Sequence, residues 1–260
     1  MRFLYPFNPL NEHAADEPYQ EEFLALKQFG ANCSLFNFDS LEFEFRPKPA
    51  IVAGETVLYR GWMLSPTRYK RLVQALVSKG GIPVTSYEDY LTCHHLPGWY
   101  DLCQELTPQT RFFPHDENLL QNIASLKWDK YFIKDYVKSN STARGSIAHS
   151  AEEALEIVHL IETYRGGIEG GIAVRQVENF VPESEQRYFV CNANVYATTD
   201  EIPAAVKTIA GRIKAPFYAV DTVRRQDGTL RLVEIGDGQV SDKKSWPIQK
   251  FVKMLIENAI

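Results

Sequence analysis

Cysteine is scarce in this chain: four in 260 residues, at positions 33, 93, 103 and 191, with no CxxC and no pair at metal-ligand spacing. That argues against a disulfide-stapled or thiolate-metal scaffold and for reduced thiols in a cytoplasmic protein. No run approaches the roughly 18 apolar residues that a membrane-spanning helix needs. The start, MRFLYPFNPLNEH, lacks a charged segment followed by an apolar one, so a signal peptide is not expected. Excess charge is also lacking: 28 basic against 33 acidic residues leaves a net −5, which gives no bulk attraction to nucleic acid or membrane and leaves room only for a local basic groove. There is no internal repeat, no Walker GxxxxGK[ST], no GxSxG and no catalytic Cys–His signature. What is present is the composition of a globular protein, 45% hydrophobic and 23% charged, long enough for one large domain or two smaller ones.

Strand and helix signals alternate along the N-terminal third. A strand at 2–5 leads into DEPYQEEFLALKQFG, where Asp16 is the expected N-cap, Pro18 lies in the first turn and Gly30 ends the helix. Strands are expected at 34–38, 56–59 and 82–84, with a helix in SPTRYKRLVQALVSKGG before the last. This β-α-β-α-β order predicts a small parallel sheet whose ligands gather at strand carboxyl ends. Arg60 falls at such an end, either as a bidentate clamp for an anionic substrate or as a structural arginine. Residues 86–127, with prolines at 97, 108 and 114, read as helical and irregular linker. Beyond them come strands at 131–137, 171–181, 186–191 and 195–199, a helix at 151–164 opened by a Ser150/Glu153 capping box, a hairpin at 217–238 and a helix at 248–257. The expected class is α+β, with an α/β domain and linker over 1–110 and a second domain over 111–260.

The hairpin carries the strongest chemical signal. Asp227-Gly228 reads as a two-residue turn, which places Asp221 directly opposite Glu234 among Ala219, Val223 and Leu232. Like charges facing each other in an apolar surround are costly. Either the pair is partly solvated or one member protonated, or a divalent cation sits there, with Asp237 as a third oxygen ligand. In YFIKDYV, Lys134 shares a face with Phe132 and Tyr136, as an edge-strand charge or a cation aimed at an anion. The loop Lys138–Ser146 is small and polar, either a connector or a lid that closes over phosphates. GGIAVRQVENF is an apolar strand that could border a purine base, with Glu178 or Glu185 accepting from ribose hydroxyls, or it is ordinary sheet. Arg187 falls on the face opposite Tyr188. His94-His95 has no partner at helical i, i+4 spacing, so a metal site there is not expected.

Taken in order, YFIKDYV, KSNSTARGSIAHS with the AEEALEIV helix, GGIAVRQVENF, EQRYFVCNANV and AVDTVRRQDGTLRLVEIGDG resemble the ATP-grasp superfamily over about 128–257. YRGWML resembles the N-terminal region of its short bacterial and phage members. The resemblance implies an ATP-grasp fold, in which a small α/β pre-ATP-grasp domain joins antiparallel-sheet ATP-binding subdomains with the nucleotide between them. It implies ATP and Mg as cofactors. Lys134 would then bind the α/β phosphates; Arg175, Gln176 and Val177 would border adenine; Lys130 (or Lys127) and Arg144 would be further nucleotide contacts. Glu185 would precede the arginine strand, Arg187 would face the γ-phosphate or acyl phosphate, and Asp221 and Glu234 would hold Mg. Where the family pattern has Glu-x-Asn, this chain has Glu234-Ile235-Gly236-Asp237, so Asp237 would stand in one residue later.

The activity implied is ligation of a peptide or small-molecule carboxylate to an amine. Two alternatives keep the nucleotide site. One is ATP-dependent joining or modification of RNA ends, with Lys138, Arg144, Arg224, Arg225, Lys243 and Lys244 as a phosphate track. The other is a nucleotide sensor without turnover. None of the three needs a membrane.

Overall fold

The computed structural model describes residues 1–139 and 143–258, so positions 140–142 of the expected lid loop lie outside the described residues. The chain forms two compact units, neither of them one continuous stretch. The first comprises Met1–Leu91, Arg187–Ala219 and Gly236–Ile260, the second Thr92–Gln186 and Val220–Ile235. A single cut near residue 110 therefore does not separate them.

The first unit begins with β1 (Arg2–Asn8), β2 (Asn11–Ala15), α1 (Glu17–Gln28), β3 (Asn32–Phe36), β4 (Thr56–Tyr59), α2 (Pro66–Ser78) and β5 (Ile82–Pro83). β1 pairs in parallel with β3 and β4, and β4 with β5, which is the parallel sheet expected from the alternating order. β2 folds back antiparallel on the end of β1. Asp16 caps α1 by accepting from the Glu17 N–H, and the Ser65 hydroxyl caps α2 by accepting from Arg68 N–H. Gly30, at φ +77, takes the left-handed conformation just past α1. Phe3, Tyr5, Phe23 and Leu26 pack in one core with Phe189, Phe217, Trp246 and Phe251 from the later stretches. Each such side chain contributes about 1.5–3 kcal/mol when fully buried.

In the second stretch of chain follow α3 (Tyr87–His94), α4 (Leu96–Cys103), β6 (Thr110–Phe113), α5 (Leu119–Ser125), β7 (Tyr131–Asp135), β8 (Ile147–Ala148), α6 (Ala151–Arg165) and β9 (Ile172–Gln176). Their sheet has the order β6-β9-β7-β8, with β9 antiparallel to both neighbours. Ser150 accepts from the Glu153 N–H at 3.2 Å, and the Glu153 carboxylate accepts from the His149 N–H at 3.0 Å, a capping box closed one residue earlier than the usual one. The apolar face of α6 (Ala154, Ile157, Val158, Ile161) packs on Ile133, Ile172 and Val174.

The chain then forms β10 (Phe180–Cys191), β11 (Asn194–Tyr196), α7 (Ala204–Arg212), β12 (Phe217–Arg225), β13 (Leu230–Asp237) and α8 (Ile248–Glu257). These strands have the order β11-β10-β12-β13, and the chain passes between units within β10, β12 and β13. The strand expected at 171–181 stops at Gln176 and resumes at Phe180. The hairpin loop also differs from expectation. Gly228 N–H donates to Arg225 C=O and Arg225 N–H to Thr229 C=O, both at 2.9 Å, so the loop is Gln226-Asp227-Gly228 rather than Asp227-Gly228. Gly228, at φ +84, supplies the left-handed residue that closes a three-residue loop.

Candidate functional site

β7 lies between β9 and β8, so Lys134 is not an edge-strand lysine. Tyr131 and Ile133 turn into the core of the second unit, which leaves Lys134 on the other face, 5% exposed. Its ammonium donates to Glu234 Oε1 at 2.9 Å. Asp221 is buried nearby on β12. Burial and the Asp221 charge push the Glu234 carboxyl up, but the Lys134 ammonium outweighs them and holds it below the ordinary range. The three-residue loop removes the turn from which Asp221 was placed directly opposite Glu234, but the Asp221 charge still raises the Glu234 carboxyl, and a lysine brought from another strand offsets it. Asp221 and Glu234 offer hard carboxylate oxygens of the kind Mg²⁺ takes, so the donor set fits that ion.

In the same unit, Gln176, Val177, Glu178 and Asn179 line a cavity of about 480 Å³ together with Arg225, Gln226 and Asp227. That volume lies in the usual range for a small-molecule pocket, about 300–1,000 Å³. Glu178 is held by Arg231 in a bidentate pair, Nη2–Oε1 2.8 Å and Nε–Oε2 2.9 Å. Arg231 also donates to the carbonyls of Glu105 and Thr107, so Glu178 anchors the cavity wall. Arg175 is buried, donating to Val233 C=O at 2.8 Å and to the Thr107 hydroxyl, and burial pulls its guanidinium down to about 10. Its side chain braces β13 and does not line the cavity. Arg144 donates to Ile147 C=O and Glu153 at the start of α6. Lys127 and Lys130 are exposed before β7, and Glu185 is exposed on β10.

The first unit holds the remaining candidates. Arg60 is 1% exposed and forms a bidentate pair with Glu22 (Nη2–Oε2 2.7 Å, Nε–Oε1 2.8 Å). It also donates to the carbonyls of Gly238 and Ser241 and lies over the Phe251 ring. All three of its nitrogens are engaged, so the geometry gives it the structural role and not the substrate clamp. Arg187 donates to the carbonyl and carboxylate of Asp242 at 2.8 and 2.7 Å. Asp237 is fully buried; its Oδ1 accepts from Gln239, while Oδ2 has no hydrogen-bond donor. Burial pushes this carboxyl up to about 7. Beyond the carboxyl ends of the parallel strands is a cavity of about 460 Å³, bordered by Phe7, Asp16, Phe38, Asp39 and Trp62. Sequence reasoning missed both this acidic, aromatic pocket and Glu22, whose side chain meets Arg60 only through the fold.

Residues 108–255 match the model of the ATP-grasp domain, R2K clade family 3. The solved structures that share the fold include these three. D-cycloserine synthetase DcsG is 12% identical with a TM-score of 0.66, covering 100% of both chains. A RimK domain ATP-grasp protein from Sphaerobacter thermophilus is 16% identical with a TM-score of 0.65, covering 100% of this chain and 99% of that one. ATP-grasp ligase PsnB, complexed with minimal precursor, Mg and ADP, is 12% identical with a TM-score of 0.59, covering 100% and 97%. No curated protein matches by sequence.

Proposed function

The chain belongs to the ATP-grasp domain, R2K clade family 3, and from that premise we propose that this ATP-dependent ligase activates a carboxylate as an acyl phosphate and passes it to an amine. The observation that carries the reading is the grouping of Lys134, Glu234 and Asp221 in one unit that also holds a cavity of nucleotide size. Phosphoryl transfer asks little covalent chemistry of a protein and much positioning and charge neutralisation. Lys134 suits the α/β phosphates, because its ammonium is already aimed and desolvated. The backbone of Gln176–Glu178 suits an adenine edge, and the Glu178–Arg231 pair holds that segment in place. Asp221 and Glu234 are the residues that would hold Mg²⁺, which when bound neutralises charge on the phosphates. The acidic pocket at the strand ends of the first unit, with Trp62 and Phe38 in its wall, suits a cationic amine better than an anion. ATP-grasp ligase PsnB, complexed with minimal precursor, Mg and ADP, gives this reading a precedent on the same fold.

The deciding experiment identifies the nucleotide product when candidate amino acids or peptides are supplied with Mg·ATP. ADP and phosphate in step with amide formation support acyl-phosphate ligation. AMP and pyrophosphate would replace it with adenylylation, and binding without turnover would replace it with sensing.

A further inference from the structure

His94 closes α3 and His95 is the N-cap of α4, and His95 makes no side-chain cap hydrogen bond there. A residue at that position is normally a Ser, Thr, Asp or Asn that satisfies an orphan N–H. Here the ring turns elsewhere. His95 Nε2 lies 2.9 Å from Glu169 Oε1, and His94 Nε2 lies 3.3 Å from the same oxygen. One potential ligand atom from each of the three residues falls within 4.8 Å of the others. Glu169 comes from the segment between α6 and β9, so three ligating side chains converge from two distant parts of the sequence, all within the second unit.

The backbones beneath them are tied to one residue, Tyr136. Leu96 N–H, next to His95, donates to Tyr136 C=O at 2.9 Å, and Tyr136 N–H donates to Glu169 C=O at 3.2 Å. Glu169 N–H donates in turn to Asp135 Oδ2. Gly170, at φ +79, lets the chain press on the Tyr136 ring, where a Cβ would come within 2.3 Å of a ring carbon. The His94 side chain is 2% exposed, whereas those of His95 and Glu169 keep 19% and 23%, so the group is walled on one side and open on the other.

We propose that His94, His95 and Glu169 form a binding site for a zinc-type transition-metal ion, with solvent as the fourth ligand. Zn–N and Zn–O bonds of about 2.0–2.2 Å in a tetrahedron set ligand atoms roughly 3.3–3.5 Å apart. The 3.3 Å spacing already meets this, and the 2.9 Å one needs an opening of a few tenths of an ångström. Two imidazoles and a carboxylate favour Zn²⁺ or Co²⁺ over Mg²⁺, which distinguishes this group from the all-oxygen pair Asp221 and Glu234. The site ties the α3–α4 corner to the segment leading into β9, and the ligase chemistry makes no use of it.

The test is direct titration of chelator-treated full-length protein with Zn²⁺ against a chromophoric competitor, with Co²⁺ spectroscopy alongside. One Zn²⁺ per chain is expected, and Co²⁺ should give the intense visible bands of a four-coordinate nitrogen-containing site. Glu169→Gln and His95→Gln should each weaken binding at least about tenfold, since loss of mere outer-sphere support already costs 10–100-fold. Asp221→Asn should leave this binding in place. Circular dichroism identifies any variant that has failed to fold, and Glu169→Gln, at the open side, is the one chosen to keep the fold. Absence of stoichiometric Zn²⁺ binding would overturn the proposal. So would undiminished binding in both folded variants, or Co²⁺ bands that disappear in Asp221→Asn instead.

Discussion

Glu22→Gln separates a structural Arg60 from a substrate-binding one. Both ends of the pair are buried, at 1% and 6% side-chain exposure, and they meet through two hydrogen bonds of 2.7 and 2.8 Å. Tyr5 adds a third contact, its hydroxyl donating to Glu22 Oε1 at 2.5 Å. Glutamine keeps the shape but puts an N–H₂ against a guanidinium and leaves a buried cation uncompensated. Breaking one side of a buried pair costs about 3–5 kcal/mol. For a chain of this size, about 1 kcal/mol lowers Tm by roughly 2–4 °C, so the loss should be roughly 6–20 °C by calorimetry or circular dichroism. Arg60→Met should cost more, because the Gly238 and Ser241 carbonyls also lose their donor, at about 1–3 kcal/mol for each buried group. The double variant Arg60→Met/Glu22→Met should be less destabilised than the sum of the single ones. A Glu22→Gln protein that melts within 2 °C of wild type, at roughly 0.5–1 kcal/mol, would refute the reasoning. An Arg60 that clamps substrate would show the opposite pattern, a raised KM with unchanged stability.

Lys134→Met should abolish nucleotide binding and reverse a pH trend. In the wild type the lowered Glu234 carboxyl adds stability above its unfolded pKa that is lost as pH falls through the folded value. Without the lysine, burial and Asp221 raise that carboxyl, so the variant should lose stability as pH rises. An unchanged pH slope between 4 and 8 in melting scans would contradict this. Asp237 gives a second pH effect: its folded value of about 7 exceeds the unfolded 3.8, so its contribution is present below about 4 and lost as pH rises through 7. Asp237→Asn should therefore melt higher than wild type at pH 8, by at most about 4 kcal/mol (1.36 kcal/mol per unit), and the two should converge near pH 4. Equal melting at pH 8 would count against a buried, unpaired carboxyl. Asp221→Asn should keep the fold and remove the Mg²⁺ enhancement of ATP binding, read by calorimetry with and without the metal.

Local chemistry was the legible part of the fold. Asp16 and Ser150 announce helix starts because their side-chain oxygens answer a backbone need within three residues. Alternation put Lys134 on one face with Phe132 and Tyr136, while which face meets the core came only from the fold; the nearness of Asp221 and Glu234 could be read from the hairpin. β2 was not legible, because NEHAA has no alternating apolar face, and its pairing with β1 is a tertiary matter. α7 went unnoticed for the same reason, its buried side being only Val206, Ile209 and Ala210. The hairpin loop was misjudged by one residue, since Asp-Gly suits both two-residue and three-residue loops and only the backbone hydrogen bonds decide. The partners that define each site residue (Glu22 for Arg60, Glu234 for Lys134, Glu169 for the two histidines) lie 38, 100 and 74–75 residues away. Charges so far apart in sequence carry no sign of one another.

The chain's habit of changing units in mid-strand has a consequence for anyone who would cut it. The family match begins at residue 108, yet Phe189, Phe217, Trp246 and Phe251 inside that match share their core with Phe3, Tyr5, Phe23 and Leu26 outside it. A protein trimmed to 108–255 would present four large aromatic side chains to water, and the complementary fragment would lack the residues that cover its sheet. What is inherited as a recognisable family segment is thus smaller than what must be synthesised together to fold. Insertions and fusions should be tolerated at the hairpin tips and not at the apparent edge of the family segment.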